Sequence, residues 1–101
     1  MNLPEIISTI KNDDRVFIRF HASWCGVCKL IAPFVERMKS DERFADVTFL
    51  DIDVEESLDV KEAFKINNLP YFAAFKSAKL VEEYSTSKKD QIEQTLVSIA
   101  S

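Results

Sequence analysis

With 101 residues the chain has room for one domain, spanning 1–101, with a modest core and no need of staples. Hydrophobic residues at 47% and charged residues at 30% exclude a disordered chain, and a formal net charge of −4 without a Lys/Arg cluster excludes a nucleic-acid footprint. No apolar run approaches the ~18 residues of a membrane span, and Met1-Asn2-Leu3-Pro4-Glu5 lacks the basic and apolar regions of a signal peptide.

In chain order, Leu3, Ile6, Ile7 and Ile10 fall at helical spacing behind Pro4, and Asn12-Asp13-Asp14 ends that helix. Val16 to Phe20 is a near-continuous apolar run, as expected of a strand buried on both faces. Ile31, Phe34, Val35 and Met38 predict an amphipathic helix over 27–40, bent at Pro33. Val47 to Ile52 reads as a second buried strand. A helix near 56–65 follows, with Val60, Ala63 and Phe64 inward and Asn67-Asn68 closing it. Asp51, Asp53, Glu55, Glu56, Asp59 and Glu62 concentrate the negative charge there, as a solvated helix start would. Tyr71–Phe75 and Leu80–Tyr84 are strands close enough to form a hairpin. Ser77-Ala78 lacks the glycine that a positive φ prefers, so a type I geometry or a small bulge is expected. Ser87 can cap a last helix that buries Ile92, Leu96 and Ile99. The order α-β-α-β-α-β-β-α is that of an α/β domain. Its βαβ part demands parallel strands, the hairpin adds antiparallel ones, and the result is a mixed four-stranded sheet with helices on both faces.

Trp24-Cys25-Gly26-Val27-Cys28 holds both cysteines, between a predicted strand and a predicted helix. That is the setting in which Cys-x-x-Cys reads as a redox pair. Cys25, at the helix start, faces the positive end of the macrodipole and unpaired N–H groups, which depress a thiol pKa. Cys28, one turn further in, should be more buried. Cys25 is therefore the candidate nucleophile that forms a mixed disulfide, and Cys28 the thiol that resolves it. Gly26 is read as the residue that lets the backbone turn tightly, and Trp24 and Val27 as apolar surface for a protein partner. Two inert buried cysteines are the alternative. A zinc site would need four ligands, and only His21 and carboxylates could join the thiols; metal is not expected, and no bound cofactor is needed.

Trp-Cys-Gly-x-Cys-Lys after an apolar strand, Pro33 five residues beyond Cys28, Leu69-Pro70 opening the third strand and Phe75-Lys76 closing it together resemble the thioredoxin family. The resemblance runs from about residue 15 to the end. It implies the thioredoxin fold, with a sheet of four or five strands, a cis Pro70 facing the cysteines, and Leu69 backbone groups that pair with a bound substrate strand. Without the resemblance, trans would be expected at Pro70.

Four features depart from that family's pattern. Val27 stands where proline is usual, so one more amide could reach the Cys25 thiolate and raise the potential above the thioredoxin value of about −270 mV. Arg19 occupies the position of the family's buried aspartate, and Phe49 that of its neighbouring lysine. Arg19 either points under the cysteines, where it would favour a thiolate and need a carboxylate partner, or extends to the sheet margin. His21 is the only histidine; it is either hydrogen-bonded structure or the first candidate to replace the missing base. Finally, little chain precedes the first strand. That leaves Val47 to Ile52 as an exposed edge, or covered only by Met1 to Leu3, and an exposed edge permits weak homodimerisation of an otherwise monomeric chain.

The resulting expectation is a small dithiol–disulfide oxidoreductase. It would reduce protein disulfides and be recharged by a thioredoxin-reductase-type enzyme. With cysteines too few for a secreted disulfide scaffold, it would work in the cytoplasm or another reducing location, unless a leader has been removed. Disulfide oxidase or isomerase activity and a non-catalytic interaction module are the alternatives. Substrate choice is expected to lie with Trp24, Gly26, Val27, Leu69, Pro70 and Tyr71, where Tyr71 could narrow the groove.

Overall fold

Val16, Phe17, Ile18 and Phe20 are all buried within strand β1 (Arg15–His21), because β1 lies inside the sheet with both faces covered. The computed structural model describes residues 1–101. The other elements are α1 (Leu3–Asn12), α2 (Gly26–Lys39), a 3₁₀ turn (Glu42–Phe44), β2 (Thr48–Asp53), α3 (Leu58–Ala63), β3 (Tyr71–Lys76), β4 (Lys79–Ser85) and α4 (Lys89–Ala100). The strands are ordered β2-β1-β3-β4. β1 and β2 are parallel, with Arg19 opposite Asp51 and His21 opposite Asp53, while β3 runs antiparallel to both β1 and β4.

Alternate residues of β1 serve different cores. Phe17 joins Phe72, Ala74 and the inward faces of α2 and α4, including Ile31, Phe34, Val35, Met38, Ile92, Leu96 and Ile99. Val16, Ile18 and Phe20 join Ile6, Ile10, Ile52, Val60 and Ile66 under α1 and α3. Each such side chain contributes about 1.5–3 kcal/mol on burial, so this two-sided cover dominates the stability of the sheet. The period of two also puts Arg19 and His21 on the Phe17 face, beneath α2.

Several local expectations are corrected. Ile7 is exposed, because the buried stripe of α1 is narrower than its apolar pattern; its start is fixed by a capping box between Asn2 and Glu5. β2 is only half-buried, as an edge strand must be, and Met1 and Leu3 bond instead to Ser57 and Asp59 at the start of α3. α3 is shorter than expected and Ala63 is exposed. It ends at Lys65 (φ 53°), whose N–H reaches Glu62 O while Ile66 N–H reaches Lys61 O. That Schellman arrangement satisfies the last carbonyls before Asn67 is reached. α4 is capped at Lys88 without a side-chain bond, since Thr86 Oγ1 rather than Ser87 takes the Lys88 N–H.

The hairpin departs most. Ser77 (φ 52°) and Ala78 (φ 64°) are both left-handed, the signature of a type I′ turn, and the bulge lies at Ala74/Phe75 instead. Strand twist demands the primed turn. Asp14 holds it in place by accepting from Ser77 Oγ at 2.9 Å, and the Asp14 carbonyl accepts from Ser77 N–H at 2.7 Å.

Candidate active site

β1 ends at His21, and Ala22-Ser23-Trp24 turns the chain into α2. Two hydrogen bonds from Ser23 to Glu55 (3.3 Å from N, 2.9 Å from Oγ) tie the turn to the segment beyond β2. The His21 carbonyl accepts from Val54 N–H at 2.9 Å. Cys25 thereby becomes the N-cap of α2, with extended backbone (φ −85°, ψ 102°). A disulfide joins it to Cys28 across a Cα separation of 5.3 Å. Cys25 is 6% exposed and Cys28 3%, so the predicted order of burial holds, though both are buried.

The amide that reaches Cys25 Sγ belongs to Cys28, at 3.1 Å, not to Val27 as expected. An N-cap side chain accepts from the second or third helical residue, and Cys28 is the third. The first turn of α2 contains no acidic residue, so nothing offsets the positive helix end beneath the sulfur. Gly26 is helical with φ in the ordinary range, and a Cβ there would meet nothing within 4 Å. Its backbone requires no glycine; the consequence of its missing side chain is open space beside Cys25.

The rim is apolar and uncovered. Trp24 is 67% exposed, Val27 43% and Leu30 79%. Leu30 was not singled out in the sequence, although its spacing of three from Val27 puts both on one helix face. A groove of about 410 Å³ follows, lined by Val27, Leu30, Ile31, Ser87 and Lys89. On the other side, the Leu69–Pro70 bond is cis, as the resemblance implied. The Phe20–Tyr71 register puts Pro70 beside the end of β1 from which the cysteine turn departs, and Ser85 Oγ donates to the Pro70 carbonyl at 2.9 Å. Pro70 is buried and Leu69 half-buried. Tyr71 does not form a groove wall with its ring, which turns to the α1/α3 face and packs 5.9 Å from Phe20. Burial, then the nearby Glu83 carboxylate, pushes its hydroxyl pKa up to about 12.

Arg19 is buried and does find a carboxylate. Its Nε donates to Asp51 Oδ1 at 2.8 Å across the β1–β2 register. Asp51 Oδ2 also accepts from Lys39 of α2, which bonds Glu36 at 3.0 Å. Burial of Asp51 opposes its charge, but the Lys39 hydrogen bond and the Arg19 guanidinium outweigh it and hold the carboxyl below its ordinary pKa. Sequence spacing did not reveal Asp51 as the partner, because parallel register is a tertiary fact. Arg19, His21, Ala22, Ser23, Cys28, Lys29 and Ala32 line an open cleft of about 170 Å³. Both residues flagged beside the cysteines therefore share a cavity with Cys28. No three His, Cys, Asp or Glu side chains gather into a metal-ligand set.

The thioredoxin family model matches residues 4–98. The chain belongs to the thioredoxin family. It is 34% identical to Gallus gallus thioredoxin over 100 residues, covering 97% of this chain and 93% of the relative. It is 36% identical to Homo sapiens thioredoxin over 84 residues, covering 83% and 78%. Among solved structures, oxidised mitochondrial thioredoxin 3 of Saccharomyces cerevisiae superposes with a TM-score of 0.88 at 29% identity, over 94% of this chain and 88% of that one. The four-stranded sheet with its flanking helices is thus a thioredoxin fold, and the chain is a small dithiol–disulfide oxidoreductase whose electrons reside in a Cys-x-x-Cys pair. Thioredoxins act on disulfide substrates and are recharged by reductase systems.

Proposed function

We propose that this thioredoxin reduces disulfides in client proteins in the cytoplasm, with Cys25 as nucleophile and Cys28 as resolving thiol. The observation that carries the assignment is the Cys28 N–H donating to Cys25 Sγ at the N-cap of α2. Such a donor, with the helix dipole behind it, stabilises thiolate at Cys25 before any other thiol of the chain. The thiolate attacks a client sulfur and expels the client's other thiolate. Cys28 then attacks Cys25 Sγ, forming the intramolecular disulfide and releasing the second client thiol, so two electrons pass to the client. The open space beside Gly26 admits the incoming sulfur. Trp24, Val27 and Leu30 offer an apolar surface to the client, and Leu69, next to the cis Pro70, offers backbone groups to its extended strand.

A dithiol or flavin reductase of the thioredoxin-reductase type restores the pair, and the thiols require no bound cofactor. The chain works as a monomer. Asp51 and Asp53 interrupt the β2 edge with charge, and Lys79, Glu82 and Glu83 do the same on β4, which discourages strand pairing. Cations beside Cys28 favour a second reading, disulfide formation, because stabilising a thiolate makes the couple more oxidising.

Insulin reduction, monitored by turbidity with dithiothreitol as electron source, tests the assignment. Wild type should turn over and Cys25→Ser should fall to the uncatalysed rate. Equal rates would remove the catalytic reading. Equilibration with glutathione separates the two directions: a potential near the thioredoxin value of about −270 mV favours reduction, and one closer to −120 mV favours oxidation.

A further inference from the structure

Resolution requires a thiolate at Cys28, which is 3% exposed, so its proton needs an acceptor close by. The cleft beside Cys28 contains none of the usual carboxylates. Its polar lining is Arg19, His21, Ser23 and Lys29. Guanidinium and ammonium groups only donate, and a hydroxyl is too weak a base. The carboxylates of the adjoining β2 segment lie outside that lining, and each already accepts a hydrogen bond. Asp51 is bound to Arg19 and Lys39, Asp53 accepts from Glu55 N–H at 2.8 Å, and Glu55 accepts from Ser23. A neutral imidazole, by contrast, keeps one acceptor nitrogen.

From this lining we infer that His21 is the proton acceptor for Cys28 in the resolving step, through water held in the cleft. The proposal rests on the disulfide-exchange reading and adds a residue to it. A volume of about 170 Å³ exceeds the ~15 Å³ that one water needs. The Cys28 thiol passes its proton through water to the free nitrogen of His21. The thiolate then attacks Cys25 Sγ, the Cys25–Cys28 bond forms, and the bond from Cys25 to the client breaks. The electron pair leaves on the client thiolate, and imidazolium returns its proton to solvent or to that thiolate. Arg19, held in the same cleft by Asp51, favours the negative charge while it exists. In this chain Asp51 is tied to Arg19 and Lys39, and the imidazole two residues beyond Arg19 along β1 takes the Cys28 proton.

Reaction of the reduced protein with 5,5′-dithiobis(2-nitrobenzoate) separates the two steps, because each attack releases one coloured thiolate. The first phase reports Cys25 and the second reports Cys28. Wild type should show a second phase with an acid limb in its pH profile, as a general base imposes. His21→Gln should lose that limb and slow the second phase about tenfold or more at pH 7, with the first phase intact. In His21→Ala, added imidazole should restore part of the rate, which a structural role for the ring would not produce. Second-phase profiles of wild type and His21→Gln that superimpose, or a slow phase that imidazole leaves unchanged, would overturn the proposal. A wild type lacking the first phase would instead overturn the reductase reading.

Discussion

Replacing Asp51 by alanine should destabilise the protein far more than replacing Arg19 by methionine: the first breaks the ion pairs to both Arg19 and Lys39 and orphans a buried guanidinium, whereas the second breaks only the Arg19 pair. Arg19 has a side chain only 10% exposed, and Asp51 is its one carboxylate partner. Without Asp51 the guanidinium is left beneath α2 with no counter-charge. Breaking a buried pair in this way costs about 3–5 kcal/mol. Asp51 is 27% exposed at the side chain, so water offsets part of that cost and about 2–3 kcal/mol is the reasonable figure here. For a domain of this size, that corresponds to a fall in Tm of about 10–20 °C. Arg19→Met removes the buried charge itself and fills most of its volume with apolar atoms, while Asp51 keeps Lys39. Its cost should stay below about 1 kcal/mol. Urea unfolding of the oxidised forms measures both without interference from thiol chemistry. The pH dependence carries the same signature. Because the folded Asp51 pKa is depressed, its stabilisation is complete above the ordinary carboxylate value of about 3.9 and is lost as pH falls through the lower folded value. Wild type should therefore lose an increment of stability in that acid range that Asp51→Ala lacks. Equal destabilisation by the two substitutions would refute the view that the orphaned guanidinium is the costly species.

Ala78→Gly should stabilise the hairpin. A left-handed L-residue costs about 1–2 kcal/mol and glycine returns about 0.5–1 of that in unfolded-chain entropy, so a Tm gain of about 2–8 °C is expected in thermal unfolding. Ser77 should be left in place, since its hydroxyl bonds Asp14. Absorbance titration of the phenols offers a clean readout, because the chain has only two tyrosines. Burial first, and then Glu83 for Tyr71 and Glu82 for Tyr84, push both up to about 12. Native protein should ionise near pH 12 and urea-unfolded protein near the ordinary value of about 10. A native transition near 10 would contradict the packing of both rings.

The redox pair and its division of labour were legible in the chain. Two thiols three residues apart, between a continuous apolar run and an amphipathic one, can only sit at a strand-to-helix turn, and a helix start treats its first residue differently from its fourth. The layered sheet was equally legible, because apolar periodicity is a local record of which faces are covered. Legibility stopped where the outcome depends on what lies across the sheet. Arg19 needed a carboxylate, but parallel pairing of β1 with β2 decided that Asp51 would be the one. The turn residues argued for a type I hairpin, and the twist of β3 and β4 overrode them by forcing Ser77 and Ala78 into left-handed backbone. Nothing in the apolar spacing marked Leu30, and only the fold leaves it bare on the face it shares with Val27. Covalent spacing and periodicity are properties of neighbours in sequence, so the sequence alone determined the chemistry of Cys25 and Cys28. The cleft shared by Cys28, His21 and Arg19 forms where α2 folds back over the end of β1, and charge pairing and exposure arise between segments distant along the chain; only tertiary structure decided those.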